Sequence, residues 1–155
     1  MPVVIVVAFV TFQEVNTGPP ANPVHAIDYQ PTVKYARRQA HFQLLAPPSL
    51  PAGWRATSVT FEPEGHQRWH LGVLTDQNKY VGLEQSDTPV RSMVQEYVDP
   101  AASRGKPVTV AGKAWSTWSD PGGDTAFVRR QGGATILVVG TATRAVLLDY
   151  VRSLR

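Results

Sequence analysis

Residues 68–86 read RWHLGVLTDQNKYVGLEQS, and their patterning decides the fold. Arg68–Thr75 (RWHLGVLT) and Lys79–Ser86 (KYVGLEQS) have strand length and strand composition, and Asp76-Gln77-Asn78 between them supplies turn-forming residues. The pair predicts an antiparallel hairpin. Immediately afterwards the period changes. Thr88-Pro89 offers an N-cap hydroxyl followed by a proline at the first helical position. Val90, Met93, Val94, Tyr97 and Val98 then recur at i, i+3, i+4, i+7 and i+8, which predicts an amphipathic helix.

The same logic extends to both sides. Upstream, Val33, Ala36, Ala40 and Leu44 share one face of a helix expected over Pro31–Leu45 and stopped by Pro47-Pro48. Trp54–Glu62 alternates strictly: Arg55, Thr57, Val59 and Phe61 on one side, Trp54, Ala56, Ser58 and Thr60 on the other. Downstream, Pro107–Ala111 and Lys113–Ser119 read as strands around Gly112. Thr125–Arg130 and Ala134–Gly140 read as a hairpin turning at Gln131-Gly132-Gly133. A last helix is expected over Thr143–Leu154, burying Leu147, Leu148, Val151 and Leu154. Each half thus ends in a hairpin, a threonine and a helix reaching Tyr-Val, with Thr88 and Thr141 53 positions apart. The fold class is α+β: a curved antiparallel sheet of six to seven strands with two to three packed helices.

The chain has 155 residues, 43% of them hydrophobic and 17% charged, a composition that excludes a disordered or collagenous protein. It has no cysteine, so disulfides, thiolate metal sites and thiol nucleophiles are excluded. The formal charge of +3 is unevenly placed. Residues 1–33 hold Glu14 and Asp28 and no Lys or Arg, whereas the remainder has fifteen basic and ten acidic residues, a charge of +5.

Residues 1–12 form an apolar segment. Its Pro2–Phe12 stretch is shorter than the ~20 residues that span a bilayer as a helix. It reads either as a buried strand or as the outer end of a membrane anchor whose basic start lies upstream of Met1. Residues 13–30 form a proline-rich linker, and 31–155 a single domain. The first positive charge after Phe12 is Lys34, as expected of an external segment.

Several runs carry a family resemblance. Leu50-Pro51-Ala52-Gly53-Trp54-Arg55-Ala56-Thr57, Trp69-His70-Leu71-Gly72 and Tyr80–Asp87 with its LEQSD ending resemble the actinobacterial family called domain of unknown function 4245. Val108–Trp115 and Gly140-Thr141-Ala142 resemble its later elements. The resemblance covers about Ile27 to Leu154. It implies a single-pass, membrane-anchored protein with an extracytoplasmic domain, and supplies topology rather than chemistry.

Polar residues concentrate in two places. Glu62–His70 holds two histidines and two glutamates, but His66 lies in a Gly/Pro turn and His70 on a strand, so no helical face presents both to a metal. Glu84, Gln85, Ser86 and Asp87 end a central strand just before a helix; they read as a pocket rim or as a helix start capped by Asp87 or Thr88. Ser86 and Asp87 with His70 make a triad on paper only, since no nucleophile elbow is present. Trp115 and Trp118, three apart on one strand, must face opposite sides, one in the core and the other exposed; an exposed tryptophan beside Arg129 and Arg130 suits a glycan, lipid headgroup or peptide, or covers the sheet edge.

The ligand-binding candidates are therefore Trp69, His70, Glu84, Ser86, Asp87 and Trp118, with no catalytic residue, metal or cofactor assigned. Basic residues are scattered, which disfavours nucleic acid. The leading expectation is a non-enzymatic binding or accessory module of the cell envelope, held at the membrane by its N-terminal segment and recognising a protein or envelope ligand. The alternatives are a small hydrolase or metal-dependent enzyme using His66, His70 and Glu84, and a structural subunit docking on another membrane protein.

Overall fold

The computed structural model describes residues 25–155. The apolar segment 1–12 and most of the linker lie outside the described residues. Among the described residues no helix is long and apolar enough to cross a membrane.

The elements are α1 (Gln30–Gln39), β1 (Arg55–Glu62), β2 (Arg68–Leu74), β3 (Tyr80–Ser86), α2 (Val90–Tyr97), β4 (Ser103–Arg104), β5 (Val108–Val110), β6 (Lys113–Ser119), β7 (Thr125–Gln131), β8 (Ala134–Gly140) and α3 (Arg144–Ser153). All strand pairs are antiparallel. They form one curved eight-stranded sheet, ordered β1-β2-β3-β8-β7-β6-β4 with β5 also pairing β6. Eight strands replace the expected six to seven. The sequence reading missed β4, a two-residue pairing of Ser103 and Arg104 with Ser119 and Trp118 that is too short for any periodicity.

Two meanders, β1-β2-β3 and β6-β7-β8, meet at the central β3–β8 pair. Gly140 closes that seam. A Cβ there would run into the Tyr80 carbonyl oxygen, which instead accepts from the amides of Thr141 (3.0 Å) and Ala142 (3.4 Å). The Tyr80 amide donates in turn to Thr141 Oγ1 at 2.9 Å. The Gly140-Thr141-Ala142 run is thus a structural lock between the halves.

Side chains alternate between two faces. On the first, Trp69, Leu71, Val73, Val81, Leu83, Phe127, Ile136 and Val138 pack with α1, α3 and residues 42–46 into the larger core. On the second, Val128 and Leu137 pack with Met93 and Val94 of α2. The two helices that follow the hairpins therefore cover opposite faces.

α1 ends at Gln39, not at Leu45 as the spacing predicts. The reason is tertiary: residues 41–46 run extended across the first face as a strap, held by two buried glutamines. The Gln85 side-chain amide donates to Gln43 O (2.7 Å) and accepts from the Leu45 amide (3.0 Å). Gln67 donates to Gln39 O (3.0 Å) and accepts from the His41 amide (2.7 Å). Gln67 holds this position at a positive φ of 40°, a left-handed conformation tolerated because three side-chain hydrogen bonds, the third to Pro63 O, fix it. Trp69 Nε1 donates to Leu45 O, and Ala46 exchanges backbone hydrogen bonds with Arg155.

Two further expectations change. α2 has no side-chain N-cap: Thr88 precedes Pro89 at the cap position, and neither Asp87 nor Thr88 bonds the first turn. α3 does have one, the Thr143 hydroxyl accepting from the Val146 amide. Trp54 precedes β1, and its indole stacks on Tyr150 of α3 at 6.3 Å.

Replacing Gln85 with Leu leaves the Leu45 amide and the Gln43 carbonyl without partners beneath the strap. A loss of ~1–3 kcal/mol is expected, chiefly from the buried Leu45 amide left unsatisfied, read as a lower urea midpoint. Faster amide exchange at Leu45 than in the wild type separates release of the strap from general destabilisation.

Candidate functional site

Helix α2 covers β7 and β8 on the second face, and among the described residues no helix lies across that face of β1–β3. His70 on β2 stands directly opposite Glu84 on β3, and Gly72 directly opposite Gly82. Alternation with the core residues Val59 and Phe61 turns Ser58 to His70's face, where it pairs with Gly72; a β-bulge between Ala56 and Ser58 inserts Thr57 and brings Ala56 back into the first-face core. Gly72 is needed there, because a Cβ would run into Ser58 Oγ.

The three side chains form one hydrogen-bonded row across three strands. Glu84 Oε1 bonds His70 Nδ1, and His70 Nε2 bonds Ser58 Oγ at 2.7 Å. With Glu84 ionised, its carboxylate accepts only, which puts the ring proton on Nδ1 and leaves Nε2 to accept from the Ser58 hydroxyl. The Glu84 side chain is 7% exposed and the His70 ring 25% exposed, so the carboxylate is interior and the imidazole reaches solvent.

Burial raises the Glu84 pKa; the His70 hydrogen bond opposes the rise without cancelling it, Glu96 adds to it and Arg68 opposes it. Arg68, on the same face, binds Glu96 and the Tyr97 hydroxyl (3.0 Å) at the end of α2. Burial also pushes the Tyr97 hydroxyl up to about 12, with the Glu84 charge adding to the rise. The Tyr80 ring lies over the two glycines, and burial, then the Glu84 charge, raises its hydroxyl as well.

The other candidates separate from this row. Trp69 is fully buried in the first-face core with its Nε1 on Leu45 O, which makes it a core residue rather than a ligand contact. Ser86 donates to His66 O (3.0 Å), and Asp87 pairs with His66 Nδ1 (2.8 Å); both hold the β1–β2 turn. The structure therefore joins His70 to Glu84 and Ser58, not to Ser86 and Asp87, and His66 stands apart. Among the described residues no three His, Asp or Glu side chains gather as metal ligands.

Trp118 belongs to a second feature. Trp115 packs into the first-face core and Trp118 into the second, on the opposite sides that their spacing requires. Near Trp118 a cleft of about 390 Å³ is bordered by Val90, Trp115, Val128 and three arginines, Arg104, Arg129 and Arg130. That volume falls in the ~300–1,000 Å³ range of small-molecule sites. No carboxylate lines it. None of the three guanidiniums has an ion-pair partner among the described residues. Arg104 lies 6.0 Å from the Trp118 ring centroid, and Arg130 donates to Thr88 O and Thr135 Oγ1. Arg129 donates through Nη1 to Ala114 O at 3.3 Å, while its buried Nε has no partner. Sequence reasoning found Trp118, Arg129 and Arg130 but missed Arg104, which only the β4–β6 pairing brings there.

The Glu84 shift has a signed consequence. A carboxyl whose folded pKa lies above its ordinary value near 4.5 keeps its proton folded where the unfolded chain has lost it, so stability falls as pH rises through that window. Glu84→Gln keeps an acceptor for His70 and removes the titration. The melting-temperature difference, variant minus wild type, should grow in the variant's favour from pH 4 upward and then level off. A difference that stays flat with pH would contradict the shift.

A search of curated proteins finds no match. The family model described as protein of unknown function (DUF4245) matches residues 1–154. With all but the final residue matched, the chain belongs to the DUF4245 family.

Proposed function

We propose that this protein is a membrane-tethered, extracytoplasmic binding module that takes an anionic envelope ligand into the Trp118 cleft. The single observation that carries the reading is the cleft's charge: Arg104, Arg129 and Arg130 border it with no carboxylate in its lining. Guanidiniums without acidic partners form an electrostatic site for phosphate or carboxylate groups, which their fork geometry binds bidentately. Trp118 and Val90 add an apolar wall, so the ligand combines an anionic group with an apolar or ring portion.

Tethering rests on the sequence. The apolar residues 1–12, the proline-rich 13–30 and the absence of Lys or Arg before Lys34 suit a segment leaving the outer side of a membrane. An anionic lipid headgroup is the ligand nearest to a domain so placed, and it meets the chemical requirement of the cleft.

Vesicle co-sedimentation tests the binding half. The chain should bind phosphatidylglycerol-containing vesicles and not phosphatidylcholine vesicles. At ~1 kcal/mol per arginine near an anionic surface, the double variant R129A/R130A should bind about thirtyfold more weakly. Equal binding by wild type and variant would overturn the cleft as the site. Fractionation of the protein expressed in its native cell tests the other half: recovery wholly in the cytosol would overturn tethering.

A further inference from the structure

We propose that Ser58, His70 and Glu84 form an acyl-transfer site acting on carboxylic esters, on the open half of the second face. The inference goes beyond ligand binding and uses none of the cleft residues.

The row has the connectivity that nucleophilic catalysis by a hydroxyl requires. A carboxylate holds one ring nitrogen of an imidazole, and the other ring nitrogen meets a serine Oγ at 2.7 Å. The polarity of burial is also right. Glu84 is interior and fixed, while His70 and Ser58 are both half-buried, Ser58 on the edge strand β1. Two features of the backbone place these atoms together: the direct His70–Glu84 pairing, and the missing side chain at Gly72, which stands opposite Ser58.

The chemistry balances without a cofactor. Ser58 Oγ adds to the ester carbonyl carbon as His70 Nε2 takes the hydroxyl proton, and Glu84 stabilises the imidazolium through Nδ1. The carbon–oxygen bond to the alcohol breaks, and His70 returns the proton to the departing alkoxide. Water, deprotonated by His70, then releases the acid from the acyl-serine and restores the hydroxyl. The site lies on a sheet face and not in a deep pocket, which favours a small acyl group carried on a bulky alcohol.

A fluorophosphonate probe tests the site, since attack by an activated serine displaces fluoride and leaves a stable phosphonyl-serine. Intact-mass and peptide analysis of the full chain should show one adduct on Ser58, absent in Ser58→Ala with an unchanged melting temperature. His70→Gln should slow labelling about a hundredfold, the usual worth of a general base. Glu84→Gln guards against a folding failure at His70 and should also slow labelling measurably. An absence of adduct, an adduct on another residue, or labelling of Ser58 at the same rate in both the His70 and Glu84 variants would overturn the proposal.

Discussion

The side-chain amide of Gln85 lies inside the larger core and commits both of its hydrogen-bonding groups to one short piece of backbone, the Gln43 carbonyl and the Leu45 amide. A buried primary amide is expensive unless satisfied, and an extended segment laid over a sheet face carries unpaired backbone groups of its own. Each therefore supplies what the other lacks. The strap then sets the rest of the first face. It turns the chain out of α1, presents Leu45 O to Trp69 and lies where Ala46 can pair with Arg155. Arg37 of α1 reaches both Leu44 O and Arg155 O, so the helix, the strap and the C-terminus close on one another.

That closure explains why the candidate chemistry lies on the other face. Among the described residues the first face carries α1, the strap and α3, and the second carries α2 alone, an eight-residue helix set over β7 and β8. One side of α2 borders the arginine-lined cleft through Val90, and its far end meets β2 through Glu96 and Tyr97. A longer helix, or a second one, would cover the β1–β3 meander and shut the imidazole of His70 away from solvent. The shortness of α2, set by Pro89 before it and the Asp99-Pro100 turn after it, leaves both sites accessible.

Legibility in the sequence followed the range of the forces involved. β2, β3, β6 and β8 were readable because period-two patterning and turn residues are local. The helix over Pro31–Leu45 was overpredicted because Ala40 and Leu44 continue the helical spacing, while the groups that unwind it, Gln67 and Gln85, lie 28 and 42 positions away from the backbone they hold. His70 and Glu84 were legible as ionisable residues within strands that the patterning already marks. Ser58 was legible as a residue facing away from Val59 and Phe61 but not as a partner of His70, because the β1–β2 register that sets it opposite Gly72 is not written in either strand alone. Trp69, between Arg68 and His70, is sent inward by strand alternation, where its indole meets Leu45 O.

The row of Ser58, His70 and Glu84 is hard to account for as a device for stability. Burying a carboxylate costs several kcal/mol before any pairing, and replacing a buried ionic pair by apolar residues of similar size is often neutral or favourable. The effect of burial on Glu84 persists in the folded protein, because its pKa stays raised in spite of the hydrogen bond from His70. Gly72 adds a second local cost, since a glycine inside a strand is unfavourable by about 0.5–1 kcal/mol relative to alanine. Both costs fall on the same three strands and both have one geometric result, a serine hydroxyl held against an oriented, partly exposed imidazole. Local rules broken together at one place mark a site kept for what it does.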